Sequence, residues 1–360
     1  MQEDFHYYAT YAAAILAGYT HKESLDIAYS AQFVDLCSRT LLSKIKAPLK
    51  AATTQLQLEM MDARTDIAGL QDITRIWASF HFLPLDLYAV KEKRPKRYMN
   101  KYRLICGPNG ELVKKTVDLA KDKPLPSTGI AMHVLADTWA HSYFAGTPSL
   151  VINNTTDEFY EIITTETGSA ERKMQFRHNP GADDILDESI YTNSIYQGSE
   201  NSIMNLGHAR AGHLPDYSFA RYRYLPAWND YKDVIKDNPS DYLNAFCQMI
   251  RAMRFLRSDL PVFETHEYDY DIIKPYEDRI RTILTKRQPI ASGDWKAFGQ
   301  ELSSESIDDF DINRYQDEYL SAVDKNSTFL GQFINGSIAH KGMVCRQIFE
   351  SGNMLAGFVG

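Results

Sequence analysis

The spacing of apolar and polar positions reads as helix over most of the chain. Residues 4–42 carry a helical period. The Ala-rich run 11–17 stops at Gly18, and Thr20 with Glu23 three residues on forms a capping box. The helix so capped runs through Leu25, Ile27, Ala28, Ala31 and Val34 to Asp35, and a further helical run covers 67–82, ending at Pro84. Residues 94–117 are basic and then strand-like, and 103–115 reads as a hairpin turning at Asn109-Gly110. A helix over about 127–144 follows, closed by Gly146 and Pro148. Residues 150–178, rich in Thr, Ile, Tyr and Phe, predict strands. Helical period returns over 239–256, 276–285, 294–302, 312–323 and much of 329–355. The pattern predicts an all-α, mainly helical fold with small β-hairpin insertions around 102–118 and 149–178. With no repeat, low-complexity segment or long linker, 1–230 is expected to form a helical region with β insertions. Residues 231–360 are expected to pack on it as helices of the same compact unit.

The helix over 127–144 carries the most specific chemistry. His133, Asp137 and His141 stand at i, i+4 and i+8 in an otherwise apolar run of Met132, Val134, Leu135, Trp139 and Phe144. On a helix each four-residue step rotates a side chain by only ~40°, so the three share one face. Burying two imidazoles and a carboxylate is costly unless something pairs with them, and a divalent cation does so well. The alternative is a polar stripe that hydrogen-bonds to neighbouring helices.

Composition narrows the classes. At 360 residues, 44% hydrophobic and 24% charged, the chain can bury a large core as an ordinary globular protein. A net charge of −8 speaks against a broad nucleic-acid-binding face, though not against a small phosphate-bearing substrate. Cys37, Cys106, Cys247 and Cys345 show no metal or disulfide spacing and read as buried free thiols. No run reaches the ~20 apolar residues of a membrane span. Glu3 and Asp4 stand where a signal peptide needs positive charge, so a cytoplasmic location is expected.

Further donors lie in apolar or aromatic settings: His6 in Asp-Phe-His-Tyr-Tyr, Asp35 at the end of its helix, and His81 in Ala-Ser-Phe-His-Phe. His208, His213 and Asp216 occur together in Gly-His-Ala-Arg-Ala-Gly-His-Leu-Pro-Asp. Together these supply donors for two or three zinc-type sites. His21, His178, His266 and His340 have polar or basic neighbours and are expected to face solvent.

The order His, Asp, His, His-x3-Asp, His, His/Asp resembles the zinc-dependent phospholipase C family and the related secreted zinc nucleases that cleave single strands. Ala-Ser-Phe-His81-Phe is similar to that family's His-Phe segment, His133-x3-Asp137 to its His-x3-Asp, and Asp35 to its single upstream Asp. The opening Asp-Phe-His-Tyr-Tyr and the Gly-His segment also resemble an uncharacterised bacterial family, a distant cousin. The resemblance spans about residues 4–230. It implies a helical protein with clustered metals, Zn first, with Mn or Fe as substitutes. One ion would take Asp35, His81, His133 and a bridging Asp137. A second would take His6, and a third His141 with Asp216 and His208 or His213.

Two departures stand out. The family coordinates metal through the free amine of its first residue, a Trp; here Met1 begins the chain, so that ligand is expected to be missing, with Asp4 in its place. The last segment has His213-x2-Asp216 with Gly212 and Pro215, which predicts a turn where the family has a helix. The implied activity is hydrolysis of phosphoric diesters by a metal-activated water, with Asp35 orienting or deprotonating the water and Asp137 as the second catalytic carboxylate. Arg210, Arg221 and Arg223 are candidate phosphate clamps and Tyr143 a candidate cleft aromatic. Two other readings stand beside it. One is a metal-stabilised binding protein without turnover. The other is a histidine–aspartate phosphohydrolase, which lacks support because no adjacent His-Asp pair occurs.

Overall fold

The computed structural model describes residues 1–165, 168–178, 190–193 and 206–357. They form a mainly helical body with a small antiparallel sheet at one end. The chain enters through a π-helical turn, Asp4–Ala9, that runs directly into a helix at Thr10–Leu16. Thr20 caps the next helix, His21–Phe33, with the reciprocal bonds of a capping box to Glu23. That helix ends two residues short of Asp35, which therefore sits in the turn that follows. Asp66 caps Ile67–Phe80 by accepting from Gly69 N at 2.8 Å, and His81 stands just past its last turn.

The hairpin expected over 103–115 is a helix, Glu111–Ala120. The reversal at Asn109 is real, with φ of +66°, but the chain beyond it buries Leu112, Val113, Thr116, Val117 and Ala120, a helical spacing. A turn residue and a short β-branched run fit both outcomes; the 3.6-residue burial pattern decided. Nearby, isolated bridges join Pro84 to Cys106 and Ile105 to Ala145, tying together the chain that leaves Ile67–Phe80 and the chain that leaves Leu125–Ala140.

Leu125–Ala140 is the central helix and is buried nearly all round, which accounts for its lack of a polar face. It packs against His21–Phe33, Asn238–Leu256, Phe329–Glu350 and Glu111–Ala120. Its contact with His21–Phe33 is made backbone to backbone at Gly129. A Cβ there would lie 2.4 Å from both Ile27 O and Ser30 Cβ, so only glycine fits this crossing.

Part of 150–178 is strand, as its composition predicts: β1 (Tyr160–Thr165), β2 (Gly168–Lys173) and β3 (Gln175–His178), after a single helical turn at Leu150–Asn153. β3 pairs in parallel with β4 (Ile190–Asn193). β5 (Arg221–Tyr224) and β6 (Val234–Asp237) complete a four-stranded antiparallel sheet in the order β2-β1-β5-β6. Tyr222 and Tyr224 of β5 point inward and form a second core with Phe82, Phe144 and Phe159, seating the sheet against the ends of the helices that bear His81 and His141.

The C-terminal helices follow the expected runs as Asn238–Leu256, Glu277–Thr285, Ser292–Ser303, Gln316–Ser321 and Phe329–Glu350. One hydrophobic core joins both halves of the sequence: Phe5 meets Tyr242 and Trp295 edge-on at 4.9 and 5.9 Å. All four cysteines are free and buried. Among the described residues no helix is long and apolar enough to cross a membrane.

Candidate metal centre

Five separate segments converge on one face of the central helix. His133, Asp137 and His141 lie on that face, at most 4% exposed. His6, from the π-helical turn, stacks on His133 with ring centroids 3.8 Å apart, and His81 reaches in from the end of its helix. Asp35 enters from the turn after Phe33. His208 and Asp216 come from the two short 3-10 turns Ala209–Ala211 and Leu214–Asp216, the turn predicted from Gly212 and Pro215. Phe82 stacks on His141 at 4.7 Å and walls that side.

The histidines are oriented from behind. His133 Nδ1 faces Ala31 O at 2.9 Å, His81 Nε2 faces Thr53 O at 3.0 Å, His141 Nδ1 faces His81 O at 2.7 Å, and His208 Nδ1 faces Gly212 O at 2.7 Å. A carbonyl oxygen only accepts, so in each ring the outward nitrogen donates its proton and the inward nitrogen presents a lone pair. Those lone pairs converge on carboxylates and on one another. His133 Nε2 is 3.2 Å from Asp137 Oδ2 and 3.3 Å from His81 Nδ1. His6 is not pinned from behind: its buried Nδ1 has no hydrogen-bond partner among the described residues, and its Nε2 lies 3.1 Å from Asp137 Oδ1. Acceptors packed this way repel unless a cation stands among them, and imidazoles pinned by backbone carbonyls are the usual supports of metal ligands.

The spacings suit a small divalent ion. Bonds of ~2.0–2.2 Å in a tetrahedron put ligand atoms roughly 3.3–3.6 Å apart. His81 Nδ1 lies 3.3 Å from Asp137 Oδ2 and 3.7 Å from Asp35 Oδ1, and His133 Nε2 lies 3.9 Å from Asp35 Oδ1. Three groups place their donor atoms within 4.8 Å of one another: His6, His133 and Asp137; Asp35, His81 and His133; His141, His208 and Asp216. The donor set therefore fits a metal, with Asp137 touching most of the others.

The N-terminus corrects the sequence reading. The α-amine of Met1 is fully buried, 2.9 Å from Asp137 Oδ1 and 3.2 Å from both Asp216 Oδ1 and His141 Nε2. Asp4, expected in its place, turns away: its carboxylate accepts from Phe5 N at 2.8 Å and Ala291 N at 2.9 Å. The π-helical turn aims His6 at the cluster and Asp4 at the C-terminal half of the chain.

Burial and charge act together here. Burial disfavours the charged imidazole and lowers His6, His133 and His208 to about 4. Burial also opposes charge on the Met1 amine, but Asp137, Asp216 and Asp35 outweigh it and raise the amine to about 11. Burial pushes Asp35 up. The same burial would raise Asp137 and Asp216, yet the surrounding imidazoles and the amine hold both well below the usual carboxylate range. Asp35, with its side chain 27% exposed, is the carboxylate of the cluster most open to water.

Other expected residues stand further out. His213 is 42% exposed, with Nδ1 3.4 Å from Asp216 Oδ2, so it borders the cluster and His208 is the better donor. Arg223 is held by Glu171 and Asp233, each at 2.7 Å, and Arg221 by Asp237 at 3.3 Å. Both guanidiniums are thus engaged by carboxylates on the outer side of the sheet, because alternation along β5 turns them away from the core. Arg210 lies in the turn beside His208. Tyr143 follows His141 by two residues with a φ of +80° and stacks on Trp228 at 5.6 Å. His266 is exposed as expected and His21 is half-buried against Tyr11, whereas His340 is 3% exposed and packs inside, against Thr116. The His178 side chain lies outside the described residues.

The chain belongs to the family of unknown function DUF6765, whose profile matches residues 1–348. No curated protein and no solved structure matches it significantly.

Proposed function

We propose that the chain is a metal-dependent hydrolase of phosphoric diesters, with zinc the preferred ion. The observation that supports this most is the set of imidazoles whose outward nitrogens are pinned on carbonyls and whose inward lone pairs surround Asp35, Asp137 and Asp216. Clustered divalent ions bring the pKa of a bound water toward 7 and offset charge developing on a phosphoryl group. Asp137 holds the donors in common register, and the Met1 amine, His141, His208 and Asp216 complete the side nearest the sheet. Asp35 is the group to orient the attacking water and take its proton, because it alone among the three carboxylates combines water access with a raised affinity for protons. Arg210 and Tyr143 remain the candidates for contact with the phosphate and its substituent. The resemblance to the phospholipase C and nuclease group supports the same reading through His81, His133-x3-Asp137 and the N-terminal amine.

The test is metal content by plasma mass spectrometry on protein purified without chelator, followed by turnover of bis(p-nitrophenyl) phosphate. At least one equivalent of zinc with turnover that chelator abolishes is expected. Less than one equivalent, or full metal without turnover of any diester tried, rejects the proposal; the second outcome favours a metal-stabilised binding protein.

A further inference from the structure

A cavity of about 400 Å³ opens between Glu111–Ala120, the start of the central helix and Phe329–Glu350. It shares no residue with the metal cluster. Its size lies within the range of small-molecule sites, roughly 300–1,000 Å³. Small residues create it: Ala120, Ala131, Gly336 and Ala339 face one another where larger side chains would close the gap. At Gly336 even a Cβ would meet Ser127 Oγ at 2.9 Å, so the helices cannot approach further there.

The lining is graded. Ala120, Ile130 and Ala131 form a buried apolar floor, beside which Thr116 Oγ1 meets His340 Nε2 at 3.0 Å, while the buried His340 Nδ1 has no hydrogen-bond partner among the described residues. The mouth is polar, with exposed Lys123, Asn326 and Asn335. Asn335 Nδ2 donates to Asn326 Oδ1 at 3.1 Å, which leaves one N–H of Asn335, both of Asn326 and the Asn335 Oδ1 acceptor for a ligand. No carboxylate among the described residues lies in ion-pair reach of Lys123.

We infer that this cavity binds a small monoanionic amphiphile, a medium-chain carboxylate, with its tail over Ala120, Ile130 and Ala131 and its head at Lys123 and the asparagines. One charge suits the mouth, and the neutral floor rejects a second, since a buried unpaired charge is costly.

Titration calorimetry of the full-length, metal-replete protein with octanoate tests this. One-to-one binding with a Kd below about 1 mM is expected. Ala339→Phe, a change at an exposed position, fills the mouth and should weaken binding at least tenfold. Lys123→Gln should weaken octanoate about tenfold and leave 1-octanol unchanged. Absence of binding overturns the inference. So does undiminished binding to Ala339→Phe, which would place octanoate at the metal cluster, or equal loss of octanoate and octanol in Lys123→Gln. Should Ala339→Phe lose its cooperative melting transition, Asn335→Trp at the same exposed mouth replaces it, with the same two outcomes. None of these results depends on hydrolase activity, so the inference and the proposed function fail separately.

Discussion

The Met1 amine and Asp137 Oδ1 are 2.9 Å apart in a fully buried setting, joining the first residue of the chain to the middle of its central helix. A charged amine is strongly disfavoured there unless balanced, and Asp137 with Asp216 balances it. The same nitrogen also sits 3.2 Å from His141 Nε2, so in its neutral form it is one more donor for a cation. Residues added ahead of Met1, left by an N-terminal tag, would replace that amine with an amide. Such protein should hold fewer metal equivalents than a C-terminally tagged preparation and turn over diesters at least tenfold more slowly. Parallel metal analysis and rate measurement check this; equal metal and equal rate exclude a role for the amine.

Asp137→Asn removes the charge that the amine, His6, His81 and His133 share. Leaving those groups around a neutral amide should cost on the order of 3–5 kcal/mol in the assembled site. Metal content below half that of the parent is expected. Asp35→Asn keeps a neutral oxygen beside His81 and His133, so it should lose less metal than Asp137→Asn while turnover per bound metal falls by about 10²–10⁴-fold, the usual range for a general base. Metal analysis of both variants separates holding from reacting.

Protons compete with metal for imidazole lone pairs. Because burial lowers His6, His133 and His208 from 6.5 to about 4, these rings stay neutral well below the ordinary histidine range. Metal content should be flat from pH 8 to about 6 and fall steeply between about 5 and 4. Equilibrium dialysis across that range reads it directly. Loss already complete at pH 6 would contradict the arrangement.

His340 gives a pH effect on stability away from the metal. Burial lowers it from 6.5 to about 3. Between those values the unfolded chain binds a proton that the folded chain does not. The folded state therefore keeps its full advantage above about pH 6.5 and loses it at up to roughly 1.4 kcal/mol per unit as pH falls. His340→Gln should flatten the acid limb of urea-derived stability while leaving metal content at pH 7.5 intact.

Gly129→Ala should destabilise the protein by about 1–3 kcal/mol, because the new Cβ overlaps Ile27 O and Ser30 Cβ. It should also weaken metal binding, since pushing His21–Phe33 away moves Ala31 O from His133 Nδ1. Denaturation with and without zinc measures both terms.

The face of His133, Asp137 and His141 was legible because helical spacing is a local rule, and the residue types at i, i+4 and i+8 settle which face they share. The capping box at Thr20 and the turn at Asn109 were legible for the same reason. What followed the turn was not, since Leu112 to Ala120 chooses helix only through the neighbours it packs against. Met1 could not be found from spacing: a backbone amine has no side-chain signature, and its place depends on where the π-helical turn lands. Nor could the pinning carbonyls of Ala31, Thr53 and Gly212, which any residue type would supply. His340 misled because its sequence neighbours are polar although the helix face it occupies is internal.

The contact at Gly129 sets the separation of the two helices main chain to main chain, and the ring of His133 hangs from the carbonyl of the opposite helix. The position of that donor is then a property of the scaffold and not of the ring alone. Exchanging His133 for another ligating residue should change the chemistry offered at the site without moving the backbone that carries it, so any preference among ions can be retuned without rebuilding the fold.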